Sequence, residues 1–214
     1  MDTAVGVIAH HTRAHHASQL AETIDAEYMS VDDGTLGVPA NHRKVWQWLV
    51  DNHTPGAQFC VALEDDAQPV AGFRNQLHQA LTASPTPVVS LYLGRGRPPH
   101  WQTRIRQAVT NADQTGAHWL ITDVLLHGVG LAIRTDLVPS MLDTTQHSSR
   151  PIDYAIRDWA NAHGHRIGFC WPSLVDHRDQ PTLIAHPDGE PRTQPRTAWR
   201  TGTRHEWTQK QVSL

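Results

Sequence analysis

The sequence predicts an α/β fold, a mostly parallel sheet flanked by helices. Two observations predict it. Short apolar runs of strand character alternate with segments of helical spacing through the first ninety residues. Three of those runs also end in polar clusters: His10-His11-Thr12-Arg13, Asp32-Asp33 and Glu64-Asp65-Asp66. Ligands of such sheets bind outside the carboxyl ends of the strands, so the alternation puts all three clusters on one edge.

The elements follow in order. Residues 4–9 (AVGVIA) read as a first buried strand, and 13–24 as a helix with Ala17, Leu20, Ala21 and Ile24 on one face. Residues 27–32 read as a second strand. A helix near 40–52 carries Val45, Trp46, Leu49 and Val50 on its apolar stripe, and 58–63 (QFCVAL) form a third strand. Trp46 and Trp48 lie two apart and cannot share a face, so one is core. Pro69 suits the first turn of a helix to about 82, and 88–93 make a fourth strand. Pro98 and Pro99 keep 94–101 from being regular helix or central strand, so it reads as a loop. Strands are expected at 118–126 and 129–134, helices near 135–143 and 151–163, and a last strand over 166–176 ending at His177. From 186 to 214 the chain turns polar and rich in Pro, Arg and Thr. It reads as an arm on a domain spanning 1–185.

A chain of 214 residues suits one domain. A net charge of -3 gives no global pull toward nucleic acid or membrane, though local patches survive such averaging. Lys44 and Lys210 are the only lysines, so the basic set is almost all arginine. Cys60 and Cys170 sit in apolar runs and read as reduced core thiols. The start of the chain lacks signal-peptide character and no stretch approaches the ~18 apolar residues of a span. A soluble protein of the bacterial or phage-infected host cytoplasm is expected, with no membrane and no obligate protein partner.

Glu64, Asp65 and Asp66 follow the strand FCVAL directly. Adjacent carboxylates repel, and a fold that gathers them usually supplies a cation. A hard divalent ion bridging carboxylates to substrate phosphates fits; a solvated acidic turn is the plain alternative. The segments NHRKVWQWLVDN and VALEDDAQPVAGFRNQLHQAL, with VVSLYLG, HGVGLAIRTDLVPSMLD, RPIDYAIRDW and WPSLVDHR after them, resemble the bacterial lipooligosaccharide galactosyltransferase-like families. The resemblance spans roughly residues 4–180 and is close in short pieces, of which LEDD is the most specific. It implies a GT-A-type, Rossmann-like fold and a metal-dependent glycosyltransferase using a nucleotide-sugar, with UDP-sugar as donor and Mn2+ or Mg2+ as cofactor.

Site roles follow from the resemblance. Asp66 would bind the metal and His177 complete the metal or diphosphate site. Glu64 would approach the ribose, or the metal through water, and Asp65 would orient its neighbours. Thr12 and Arg13 would meet the nucleotide, and Asp32 or Asp33 the uracil or ribose. Asp153, which Pro151 places in a first helical turn, would be the general base; an Asp there also serves as a simple helix-start residue. His10, His11, His15 and His16 are assigned no metal, since two on a strand end and two on a helix rarely converge.

Two acceptors compete. One is a saccharide or lipid-linked sugar, as in the similar families. The other, slightly favoured, is a hydroxymethylated pyrimidine in DNA, as in phage enzymes that glycosylate modified bases. Arg95, Arg97, Arg104 and Arg106 near one loop, and Arg192, Arg196, Arg200 and Arg204 in the tail, interleave with Trp101, Trp199 and Trp207. Such a pattern tracks phosphates and stacks on bases. A non-catalytic nucleotide-sugar or nucleic-acid binding protein is the reading from another class.

Overall fold

The computed structural model describes residues 2–53, 56–179 and 195–214. The first half follows the expected alternation. Strand β1 (Asp2–His10) leads through a 3-10 turn into α1 (Ala14–Thr23), then β2 (Tyr28–Asp32), α2 (Val38–Asn52) and β3 (Ala57–Glu64). β2 and β3 both pair parallel with β1. The next pieces are β4 (Ala67–Pro69), α3 (Phe73–Thr82) and β5 (Val88–Ser90). After them come α4 (Gln102–Thr115), β6 (Trp119–Thr122), β7 (Gly130–Arg134), α5 (Val138–Thr145) and α6 (Ile152–Ala162). β8 (Ile167–Cys170), β9 (Val175–His177) and β10 (Gln211–Ser213) close the chain.

Eight strands form one sheet in the order β10-β6-β8-β5-β7-β3-β1-β2. β2, β1, β3, β5 and β8 run one way; β7, β6 and β10 run against them. The sheet is thus a Rossmann-like α/β one flanked by helices, parallel in its first half and mixed beyond. Side chains alternate across it. Val5, Val7 and Ala9 of β1 join α1 and α3 in one core, while Ala4 and Ile8 join α2, α4, α5 and α6 in the other. Gly6 lies under α2, where a Cβ would come within 2.6 Å of Val45 Cγ1. Trp46 is fully buried, and Trp48 stacks on Tyr28 at 4.5 Å. Both cysteines are buried and free. Among the described residues no helix is long and apolar enough to cross a membrane.

Four expectations need correction. Pro69 ends strand β4, and the helix begins four residues later at Phe73. Helix α4 was not expected, although Ile105, Ala108, Val109 and Ala112 all turn inward from it. The strand expected over 166–176 is two, β8 and β9, broken around the cis Trp171-Pro172 bond. The C-terminal arm, in its described part, belongs to the domain: β10 pairs with β6, and Trp207 and Leu214 are buried. Its first nine residues, 186–194, lie outside the described residues.

Candidate functional site

The site begins with a pairing remote in sequence. β4 and β9 form a separate antiparallel ribbon in which Ala67 faces His177. The Arg178 amide donates to the Asp66 carbonyl at 2.7 Å. This ribbon holds His177 beside Asp66, with Nε2 at 3.3 Å from Asp66 Oδ2, both side chains nearly inaccessible. From the turn after β1, Arg13 reaches the same place. Its Nη1 donates to Asp65 Oδ1 at 3.0 Å and to Asp66 Oδ2 at 2.6 Å. The His10 amide donates to Asp65 Oδ2 at 2.8 Å. Two adjacent carboxylates therefore share one guanidinium.

The electrostatics follow from burial and that shared cation. Burial raises Asp65 above the usual carboxylate range, and the His10 amide and Arg13 only partly oppose it. Burial also pushes Asp66 up, but His177 and Arg13 outweigh it and hold Asp66 below that range. Asp66 is thus the more firmly ionised of the two. Asp66 Oδ1 and His177 Nδ1 are buried with no hydrogen-bond partner.

A second cluster sits next to the first, at the end of β3. Glu64 Oε1 lies 3.3 Å from Nε2 of His42, a buried residue of α2. Asp153 stands in the first turn of α6, as expected, with Oδ1 accepting from the Tyr154 amide at 2.9 Å. Burial first, and the charge of Glu64 second among the raising causes, lift Asp153 above the carboxylate range. That makes it a stronger base than an ordinary Asp.

The other expected residues divide. Thr12 is exposed and bonds His10 Nδ1 at 2.8 Å through its hydroxyl. Asp32 spends both oxygens on its own loop. Oδ1 accepts from the Gly34 and Leu36 amides, and Oδ2 accepts from Gly37 at 2.8 Å. It shapes the turn into α2 and leaves no oxygen unbonded for a nucleoside. Asp33 is exposed and caps Thr35. Among the described residues no group of three His, Cys, Asp or Glu could hold a metal. Asp66 Oδ1 is a buried oxygen with no protein partner, while Oδ2 is taken by Arg13 and His177. One carboxylate oxygen fits Mg2+ or Mn2+ whose other ligands are diphosphate oxygens and water. In that arrangement His177 orients Asp66.

Sequence reasoning missed His42, Tyr92 and His127. Tyr92 is buried between the rings of His127 and His177, at 5.0 and 6.1 Å. His127 is held down to about 3 by burial. Its Nε2 has no partner, and a Cβ on Gly94 would come within 2.8 Å of it. A cavity of about 430 Å³ opens on the α1 side of Asp65, lined by His16, Gln19, Gln68 and Arg178 among others; neither Asp66 nor Asp153 lines it.

The tail arginines are mostly occupied. Arg200 pairs with Asp113, and Arg204 donates to the Trp171 and Ala117 carbonyls at 2.8 and 3.0 Å. Arg196 lies 3.8 Å from Asp179, and Arg192 is outside the described residues. Arg95, Arg104 and Arg106 are exposed; Arg95 donates to the Trp199 carbonyl at 3.3 Å and Arg104 to the Leu214 oxygen at 2.7 Å. Arg95 and Arg106 lie over Trp199 at 5.4 and 5.9 Å, and Arg104 over Trp101 at 4.9 Å. Arg97 is half-buried in the same loop. Trp207 is core, tilted against Trp119 at 5.4 Å.

No family model matches this chain, and no curated protein matches it. Among solved structures it is similar to one described as the crystal structure of A197 from STIV. That likeness has 11% identity over 96% of this chain and 97% of the other, with a TM-score of 0.46. At that similarity it carries no statement about function.

Proposed function

We propose that the chain is a glycosyltransferase, moving a sugar from a nucleoside-diphosphate donor, taken to be a UDP-sugar, to a hydroxyl acceptor in the cytoplasm. The observation that carries this reading is a single sheet edge holding two unlike carboxylate groups. Asp66, firmly ionised beside Arg13 and His177, suits a cation and a diphosphate. Asp153, raised and in a first helical turn, suits proton abstraction.

The acceptor oxygen forms its bond to the sugar's anomeric carbon as the bond from that carbon to the diphosphate breaks. Asp153 takes the acceptor's proton, and the diphosphate leaves with the bonding pair. Arg13 and the residues around Asp66 face the charge that builds on the leaving group. A divalent ion, when bound through Asp66 Oδ1, would neutralise part of that charge. Glu64 keeps a carboxylate oxygen for donor hydroxyls.

For the acceptor, the exposed Arg95, Arg104 and Arg106 with Trp101 and Trp199 support nucleic acid carrying a hydroxylated base. This surface adjoins the site: Gly94, one residue before Arg95, packs on His127 and Tyr92. A saccharide acceptor is the competing outcome.

The test is donor hydrolysis. UDP-sugars incubated with Mn2+ should slowly release UDP, and Asp66→Asn should abolish release and the metal-dependent part of UDP binding measured by calorimetry. Binding without release in the wild type would make the chain a binding protein. Metal-dependent binding unchanged in Asp66→Asn would remove the metal role.

A further inference from the structure

We propose that His42 is a positioning residue that fixes the Glu64 carboxylate for the donor's hydroxyl groups, with Gly128 leaving the space in which it sits. The inference rests on the glycosyltransferase reading and names a part of its donor site that the acidic motif alone does not reveal.

Three observations meet at Glu64. The first is the imidazole of His42, 1% exposed, whose Nε2 lies 3.3 Å from Glu64 Oε1. Its other nitrogen, Nδ1, is buried with no partner. With the proton on Nδ1, that N–H would be unpaired and the Nε2 lone pair would face a carboxylate oxygen, so in the neutral ring the proton belongs on Nε2, pointing at Glu64. The second is Gly128. The Glu64 amide donates to the Val129 carbonyl at 2.9 Å, which brings residue 128 against the Glu64 side chain. A Cβ at 128 would stand 3.0 Å from Oε1, tighter than ordinary contact, and the movable partner is the carboxylate. The third is access. The Glu64 side chain is 29% exposed although Oε1 is engaged by His42, and Oε2 has no hydrogen bond among the described residues.

A carboxylate pinned through one oxygen and open through the other is suited to accept from a hydroxyl of a ribose or of the transferred sugar. Glutamate has three side-chain torsions, and freezing them before the ligand arrives lowers the ordering cost of binding. A buried histidine one helix away is an effective way to do this, because α2 is itself fixed by Val45, Trp46 and Leu49 in the core.

The experiment measures UDP, 2′-deoxy-UDP and UDP-sugar affinity by calorimetry with Mn2+, in chains whose cooperative thermal melts show a folded state. His42→Leu fills the space without a donor and should weaken UDP-sugar binding about ten-fold, the low end of what losing such a supporting partner costs. His42→Gln restores an N–H and should recover most of it. Gly128→Ala, which leaves His42 in place and displaces the carboxylate, should match His42→Leu. In a Glu64→Ala background, His42→Leu should add nothing, since both act through one carboxylate. A loss seen with UDP and absent with 2′-deoxy-UDP assigns the ribose; a loss confined to UDP-sugars assigns the sugar. Should His42→Leu bind like the wild type, or its loss add fully to that of Glu64→Ala, the positioning role is overturned while the glycosyltransferase reading stands. Should the wild type bind no UDP species, both fall together.

Discussion

Arg13 gives the sharpest test of how the acidic edge is held together. Its guanidinium, 10% exposed, is shared by two carboxylates that are each 7% exposed at 3.0 and 2.6 Å. Arg13→Leu keeps much of the packing volume and strands two neighbouring carboxylates. Removing one partner of a buried pair costs about 3–5 kcal/mol, because the charge left behind stays desolvated. For a domain of this size each kcal/mol moves Tm by about 2–4 °C, so thermal unfolding at neutral pH should fall by about 6–20 °C. The pH dependence fixes the cause. In the wild type Asp66 is held below its ordinary value, so the stability it contributes is present above that value and lost as pH falls through the lowered one. In the variant Asp65 keeps only the His10 amide and Asp66 only His177 against burial, so both carboxylates bind protons more tightly in the folded state than they do in the wild type. Relative to the wild type the variant's stability therefore rises as pH falls toward about 4, and the gap narrows. Millimolar Mn2+ should raise the variant's Tm more than the wild type's, because the ion replaces the missing charge. A Tm within about 2 °C of wild type at neutral pH, or a gap that stays constant down to pH 4, would refute the shared-cation account.

Two further outcomes are expected. Asp153→Asn should lower kcat by about 10²–10⁴-fold with UDP-sugar affinity nearly intact. In the wild type kcat should rise with pH through a limb above the ordinary carboxylate range, because burial and then Glu64 raise Asp153 and only its ionised form accepts a proton; wild-type turnover in Asp153→Asn would leave the residue a helix-start Asp. If the acceptor is DNA, duplex affinity should fall steeply with salt, and replacing Arg95 and Arg106 by Ala should flatten the log–log slope by about 1.8, at roughly 0.9 per phosphate contact, with donor hydrolysis unchanged. Absence of any DNA affinity at low salt would move the acceptor to a saccharide.

The part of the fold that was legible in the sequence is the part whose burial leaves a local mark. β1 and β3 are covered on both faces, so they read as unbroken apolar runs, and the parallel arrangement follows from the helices between them. α4 was illegible because three of its inward residues, Ala108, Val109 and Ala112, are small and the helix is preceded by a proline loop. β10 was illegible for a different reason. Gln211, Val212 and Ser213 are too few, with a single apolar side chain, to mark a strand, and the strand exists because β6 offers it an edge and Trp207 anchors the approach, its indole N–H bonded to Gln76 Oε1 at 3.0 Å. The tail's arginines show the same limit for charge: counting them in sequence says nothing of Asp113 or of the carbonyls that occupy Arg200 and Arg204.

The candidate site divides along the same line. The Glu64-Asp65-Asp66 triplet announces itself, since three carboxylates at the end of a buried strand contradict the apolar run before them. Its partners do not, because each arrives by tertiary contact: Arg13 from 52 positions away from Asp65, and His177 through a ribbon of two three-residue strands. His42 is the instructive case. It shares the buried face of α2 with Val45, Trp46 and Leu49, where the helical period alone asks for an apolar residue. A polar side chain kept on such a stripe costs stability unless a partner compensates it, and the partner found is a carboxylate of the acidic motif. The sequence signal that could have found His42 was therefore present as a violation of the helix's own pattern, and local conflicts of that kind are where function is to be sought.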